Sequence, residues 1–261
     1  MPNVEKIRSR LSERASDINL FIYDSVTSTN DIAKDIAKSS CEKETVIIAR
    51  EQTAGRGRRG RSFFSPDATG IYMSIVLRPT CPVHQLALLT PATAVAVAKA
   101  VEKVSGKTVD IKWINDIFLD GKKICGILCE TCFDDTNKVT NVIVGIGINL
   151  CDPQGGFPED ISEVASSLFG SALPDFEAPS EICAEIISLV LEYADNLEQR
   201  SFLHEYKEKM FLLGKEVNVV TPTSTYSAVA TDIDVDAHLL VTLPDNSVNV
   251  LNAGEISIKP Y

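Results

Sequence analysis

Apolar residues recur along this chain at two spacings, and the switches between them mark its elements. Val4, Ile7 and Leu11 fall at helical spacing and predict a short amphipathic helix over residues 4–14. Leu20-Phe21-Ile22-Tyr23 predicts a first strand. Ile32, Ala33, Ile36 and Ala37 predict a second helix, which the hydroxyls and amide of Asp24-Ser25-Val26-Thr27-Ser28-Thr29-Asn30 are suited to cap. Such groups can equally present donors and acceptors to a neutral polar ligand. Val46-Ile47-Ile48-Ala49 and Gly70-Ile71-Tyr72-Met73-Ser74-Ile75-Val76-Leu77 are apolar runs of buried-strand length on either side of a polar loop. Pro79 to Pro82 breaks the chain before a long predicted helix, Val83 to Val104, whose alanines and valines suit close packing on a sheet.

Val109 to Trp113 predicts a strand, and Asp120-Gly121 a two-residue hairpin turn with a return strand from Lys122 through Glu130. The strand Val142 to Asn149 is apolar except for Gly145, Gly147 and Asn149, and glycines inside a strand mark close approach of a ligand or another backbone. Residues 151–160 are loop-like, 164–169 helical, and Ser180 is placed to cap a helix with Ile182, Ile186, Val190, Tyr193 and Leu197 at core spacing. Beyond Gly214 come short alternating segments, Glu216–Val220, Ser224–Asp232, His238–Leu243, Val248–Leu251 and Glu255–Lys259, the pattern of a small β-barrel. A boundary near residue 212 therefore divides 1–212 from 213–261. There is no internal repeat or low-complexity segment.

Composition narrows the function classes. The 261 residues are 44% hydrophobic, enough for one sizeable core and a small second one. A formal net charge of −11 disfavours nucleic acid or an anionic membrane as the main partner, so positive charge should matter locally. No apolar run approaches the roughly 20 residues of a membrane span. Glu5 and Glu13 and the lack of an apolar segment make the start unlike a signal or transit peptide, so the expected location is cytoplasmic. Seven cysteines do not suggest a disulfide framework, and Cys125, Cys129 and Cys132 lie on a predicted strand. There, residues four apart are separated by about 13 Å, too far to share a metal. No protein-built metal site is expected, and the cysteines are treated as small buried apolar residues.

Local positive charge is concentrated between Arg50 and Pro66, where Arg56, Arg58, Arg59 and Arg61 alternate with Gly55, Gly57 and Gly60. Glycine lets backbone approach a ligand, and arginine offers a permanently charged fork for carboxylate or phosphate oxygens. The glycine spacing formally fits a dinucleotide fingerprint, but Phe63-Phe64-Ser65-Pro66 follows instead of a helix and no acid stands about twenty residues on. A kinase glycine loop fails too, because no His-Arg-Asp or Asp-Phe-Gly follows.

Five strings in order resemble the biotin protein ligases: Ser28-Thr29-Asn30; Gln52 with Gly55-Arg56-Gly57-Arg58-Arg59-Gly60; Lys112-Trp113-Ile114-Asn115-Asp116; Lys123-Ile124-Cys125-Gly126-Ile127-Leu128; and Gly145-Ile146-Gly147-Ile148-Asn149. The resemblance covers most of the chain. It implies an α+β fold, a class II synthetase-like, mostly antiparallel sheet backed by helices, with an SH3-like barrel at the C-terminus. It also implies joining of biotin to ATP as biotinyl-5′-AMP, then transfer to one lysine of a biotin carboxyl carrier domain, with magnesium. By resemblance, Ser28, Thr29, Asn30 and Gln52 read the ureido head group, while Arg56, Gly57, Arg58 and Lys123 hold the carboxylate that becomes the acyl-phosphate. Lys112, Asn115, Asp116 and Asn149 serve the nucleotide, its magnesium or the incoming amine. Gly55, Arg59, Phe63, Gly126, Gly145 and Gly147 complete the expected site. The sequence leaves the assembly open between a monomer and a homodimer.

Elementary electrostatics agrees. A carboxylate and a phosphate at ~4 Å repel by about 4 kcal/mol at an effective dielectric of ~20, so Arg56, Arg58, Lys123 and magnesium would be needed to offset this. Transfer needs a neutral amine from a lysine of ordinary pKa about 10.4, and Asp116 is the candidate base, against the alternative of a turn-capping aspartate. Three departures stand out: Phe63 where many members carry tryptophan, Ile114 where proline is common, and Lys259 where an arginine often sits. The winged-helix repressor domain of some members is expected to be absent. Two rivals stay open, a lipoate or octanoate ligase of the same fold and a non-enzymatic nucleotide-binding module.

Overall fold

Alternation on the central strands decides the layering. In a computed structural model describing residues 1–39, 43–173, 175–221, 224–252 and 254–258, Val46 and Ile48 join the main core while Ile47 packs with Ala33, Val76 and Ile143 on the other face. A strand covered on both sides reads as one apolar run, as Val46–Ala49 within β2 (Thr45–Gln52) and most of β3 (Gly70–Leu77) do. Helix α2 (Thr29–Lys38) covers one face, and α3 (Leu89–Ser105) and α4 (Ala178–Asp195) cover the other.

The large sheet has seven strands, adding β1 (Asn19–Val26), β4 (Asp110–Lys112), β5 (Asp116–Leu119), β6 (Lys122–Phe133) and β7 (Val139–Asn149). Their order is β1-β2-β3-β7-β6-β5-β4, and only the β1–β2 pair is parallel. Asp120 and Gly121 take φ of 50° and 77°, the left-handed pair of a tight hairpin turn. Five C-terminal strands, β8 (Glu216–Val220), β9 (Thr225–Ile233), β10 (Leu239–Thr242), β11 (Val248–Leu251) and β12 (Glu255–Ile258), form one antiparallel sheet. Lys259 lies outside the described residues.

Several expectations need correction. The first helix, α1, spans only Val4–Arg8; a separate 3-10 turn covers Glu13–Ala15. The helix predicted from Val83 begins at Leu89, after a 3-10 segment over Val83–Leu88. Residues 164–169 are not helical, because tertiary pairing takes their backbone groups: Lys123 N donates to Val164 O, Ser166 N to Lys123 O and Leu168 N to Asn149 O. Ser180 sits inside α4 rather than capping it, and its Oγ accepts from Asn3 N at 3.0 Å. Cys125 and Cys183 are buried, but Cys81, Cys129, Cys132 and Cys151 are only half-buried.

Trp113, between β4 and β5, ties the two sheets together. Its Nε1–H donates to Ala237 O at 3.0 Å, and the indole packs against Gly254. The Trp113–Ile114 peptide is cis, and Tyr206 in α5 (Leu203–Glu208) donates its hydroxyl to Ile114 O at 3.1 Å. Among the described residues, no helix is long and apolar enough to cross a membrane.

Candidate active site

The arginine segment folds as a hairpin leaving β2. Gln52 N donates to Ser65 O, Phe63 N to Gly55 O and Gly57 N to Arg61 O, and the tip turns at Arg59 and Gly60, with φ of 56° and 75°. Gly55 serves this hairpin, since a β-carbon there would lie 2.3 Å from Phe63 O. The hairpin arches over β6 and β7 and closes a cavity of about 350 Å³. Of the residues expected at the site, all but Gly55 and Asn149 line it.

Two chemically distinct regions make up the lining. At the start of α2, Ser28, Thr29 and Asn30 are buried. Ser28 heads the helix without a capping bond; Gln52 Oε1 instead accepts from Thr29 N at 2.9 Å. Gln52 Nε2 donates to Ser65 Oγ at 2.9 Å, so the amide is held on both sides. Asn30 fits because Gly145 has no side chain: a β-carbon there would stand 2.3 Å from Asn30 Oδ1. This region is neutral and rich in hydrogen-bonding groups.

The second region is cationic. Arg58 donates to Asn115 Oδ1 at 2.9 Å, and Asn115 Nδ2 donates to Ile127 O at 2.9 Å, fixing that amide. Burial and the neighbouring Arg59 lower the Arg58 pKa, opposed by Asp116, yet guanidinium stays charged at any ordinary pH. Lys123 Nζ contacts Asp116 Oδ1 at 2.8 Å; the approach is not aligned as a hydrogen bond, and Oδ1 is buried without an aligned donor. Lys112 lies over the Phe118 ring, 5.5 Å from its centroid. Gly126 and Gly147 make room for the Phe63 ring and the Lys123 amine.

The hairpin is not a set of uncompensated charges. Arg56 pairs with Asp31 at 2.5 Å and with Glu130 Oε1 at 3.2 Å. Asn149 does not reach the cavity: its Nδ2 donates to Ser166 O at 3.0 Å, and Ser166 in turn pairs with Lys123. It braces the segment that holds Lys123. Sequence reasoning missed Trp113, Val220, Gly254 and Ile256 as cavity walls, and Ser74 and Glu130 behind it. Ser74 had a signal, a serine inside an otherwise apolar strand; the C-terminal contacts had none.

Among the described residues, no three His, Cys, Asp or Glu side chains group to hold a metal ion. Asp116 is the one carboxylate among the lining residues described. That donor set fits magnesium carried on nucleotide phosphates rather than a resident ion.

Known proteins that share this fold and sequence pattern are protein ligases. Residues 22–149 match the biotin/lipoate A/B protein ligase family, and the chain belongs to that family. Within it, relatives similar to this chain include biotin ligases. The chain is 31% identical over 250 residues to the bifunctional ligase/repressor BirA of Bacillus subtilis (strain 168), spanning 95% of this chain and 77% of that protein. It is 29% identical over 219 residues to the biotin–[acetyl-CoA-carboxylase] ligase of Mycobacterium tuberculosis, spanning 81% and 77%. The biotin protein ligase of Aquifex aeolicus in complex with biotin and ATP superposes with a TM-score of 0.74 at 25% identity, covering 93% of this chain and 99% of that one.

Proposed function

We propose that this protein activates biotin with ATP as biotinyl-5′-AMP, releasing pyrophosphate, and transfers biotin to a lysine of a biotin carboxyl carrier domain. The observation that carries this is the division of one cavity into a neutral polar region and a cationic one. Biotin has that form, a neutral ureido head and a carboxylate tail. Ser28, Thr29, Asn30 and Gln52 bind the head group. Arg58 and Lys123 hold the carboxylate and then the acyl-phosphate, with Arg56, Gly57 and Arg59 on the covering hairpin and Phe63 over the bound ligand. Lys112, Asn115 and Asp116 serve the nucleotide side, where magnesium bound to the phosphates would offset their charge.

Catalysis in the first step is positioning and charge stabilisation, with no side-chain nucleophile. The biotin- and ATP-binding catalytic domain is residues 1–212, and 213–261 form a small second domain whose Val220, Gly254 and Ile256 add to the cavity wall. The protein works in the cytoplasm as a monomer or homodimer on a carrier protein, and neither nucleic acid nor membrane is its substrate. A lipoyl or octanoyl tail would form no hydrogen bonds with the polar groups around Thr29 and Gln52, forgoing about 0.5–1.5 kcal/mol for each bond that a polar head group makes there. Biotin-dependent exchange of labelled pyrophosphate into ATP tests the proposal: exchange with biotin and little with lipoate or octanoate is expected, and equal rates would overturn it.

A further inference from the structure

We propose that Phe118, beside the cavity, is a positioning residue: its ring holds the Lys112 ammonium at the nucleotide side and leaves Asp116 to Lys123. This deepens the proposed function and rests on it for what Lys112 serves.

Strands β4 and β5 pair Asp110 with Phe118, Ile111 with Ile117 and Lys112 with Asp116. Side chains alternate along a strand, so Lys112, Asp116 and Phe118 lie on one face of this ribbon, while Ile111 and Ile117 are fully buried on the other. A bulge in β6 adds Lys123 to the first face. Ile117 pairs with Cys125 but Phe118 with Lys123, so Ile124 is an extra residue. In a regular strand Lys123 and Gly126, three positions apart, would face opposite ways. The bulge turns Lys123 back to the cavity, with Nζ 3.1 Å from where a β-carbon on Gly126 would stand.

Two lysines therefore flank one carboxylate. Opposite charges directly across an antiparallel pair attract, which by register alone would give Asp116 to Lys112. The structure instead sets Lys123 Nζ 2.8 Å from Asp116 Oδ1, and Lys112 Nζ over the Phe118 ring, 5.5 Å from its centroid. An ammonium within about 6 Å of an aromatic face is attracted by the ring's quadrupole. A ring holds a cation without cancelling its charge, as Asp116 would. It also fixes a flexible four-carbon stem before an anion arrives. Phe118 is oriented in turn from the domain junction: the Phe211 ring lies 5.5 Å away at 45°, and Lys215 Nζ lies over Phe211 at 5.3 Å. The stack Lys112, Phe118, Phe211, Lys215 runs from the cavity wall to the residue before β8.

Phe118→Leu tests this, because it keeps an apolar side chain and removes the aromatic face. In pyrophosphate exchange the ATP KM should rise about 3- to 10-fold with the biotin KM unchanged, and Phe118→Tyr should restore it. Fluorinated phenylalanines placed at position 118 separate the ring's charge distribution from its packing. Each added fluorine weakens the face at nearly constant size, so the ATP KM should climb stepwise while the melting temperature holds. Phe118→Leu should add nothing to Lys112→Met, since the ring acts through that lysine. In parallel, the Lys112 ε-methylene resonance, identified by its loss in Lys112→Met, should be displaced upfield by the ring in the unaltered protein and return to the ordinary lysine position in Phe118→Leu. An ATP KM that is flat across the fluorinated series, additive effects in the double variant, or a Lys112 resonance at the ordinary position would overturn the inference. If the unaltered protein fails to exchange with biotin, the proposed function falls, and the Lys112 resonance still decides whether Phe118 holds the ammonium.

Discussion

The Phe63 ring occupies the space that a side chain on Gly147 would need: a β-carbon at position 147 would stand 2.6 Å from Phe63 Cε1. On the neighbouring strand, a β-carbon at Gly126 would stand 3.3 Å from the same ring. The paired glycines thus form a trough across β6 and β7 in which the aromatic residue of the arginine hairpin sits. Gly147→Ala should push the ring outward at a cost of about 1–3 kcal/mol in stability. With the cover displaced, biotinyl-adenylate formed on the enzyme should dissociate ~10-fold faster, read by stopped-flow chase; an unchanged dissociation rate would mean that Phe63 does not retain the ligand.

Much of this was legible from side-chain pattern alone. β3, β8 and β11 have the bounds that alternation and apolar runs predict, because local patterning and tertiary burial agree there. The arginine hairpin and the five motif strings led to nearly the whole cavity lining. What failed did so for tertiary reasons. Residues 164–169 look helical in isolation but pair with Lys123 and Asn149, partners 17 or more positions away. Glycines 145 and 147 signalled close approach correctly, yet their neighbours are Asn30 and Phe63 of the same chain. Val220, Gly254 and Ile256 reach the cavity from the second sheet, which Trp113 helps to anchor, a contact no local pattern encodes.

That anchor supports a second prediction. Trp113→Phe keeps an aromatic ring but leaves Ala237 O buried without its donor, a loss of about 1–3 kcal/mol. Urea unfolding should show a lower midpoint. Because Val220 and Ile256 line the cavity, a lower rate of adenylate formation should accompany it; an unchanged midpoint would show that the indole bond contributes nothing net.

Glu130 also makes a pH prediction. Its carboxyl lies below the ordinary range in the folded protein, because bonds from Lys34 and Asn30 outweigh the opposing effect of burial. A depressed carboxyl stabilises the fold above its unfolded pKa, about 4.3 for glutamate, and that contribution is lost as pH falls through the folded value. Glu130→Gln should therefore melt lower than the unaltered protein at pH 7, with the gap closing as pH drops below about 4. A gap constant from pH 7 to 3, measured by thermal unfolding, would rule out the linkage.

Asp116 separates the two half-reactions. It contacts Lys123 at 2.8 Å through an oxygen with no aligned hydrogen-bond donor, so the same carboxylate can orient the lysine, meet magnesium on the nucleotide, or take a proton from the incoming amine. Asp116→Asn keeps size and shape but accepts no proton. If Asp116 is the base, transfer from preformed biotinyl-adenylate should slow by ~10²-fold or more and recover partly as pH rises toward the lysine pKa near 10.4, where the amine deprotonates unaided. If it serves the metal, pyrophosphate exchange should fall and respond to added magnesium while transfer stays near normal. If it only orients Lys123, the biotin KM should rise with no magnesium response, as for loss of the cation itself. The ion pair favours the last two outcomes, because Lys123 already occupies one oxygen of the carboxylate. Single-turnover transfer to a carrier domain across pH 6 to 10 distinguishes them; a slowed rate that high pH restores would overturn that ranking and assign Asp116 as the base.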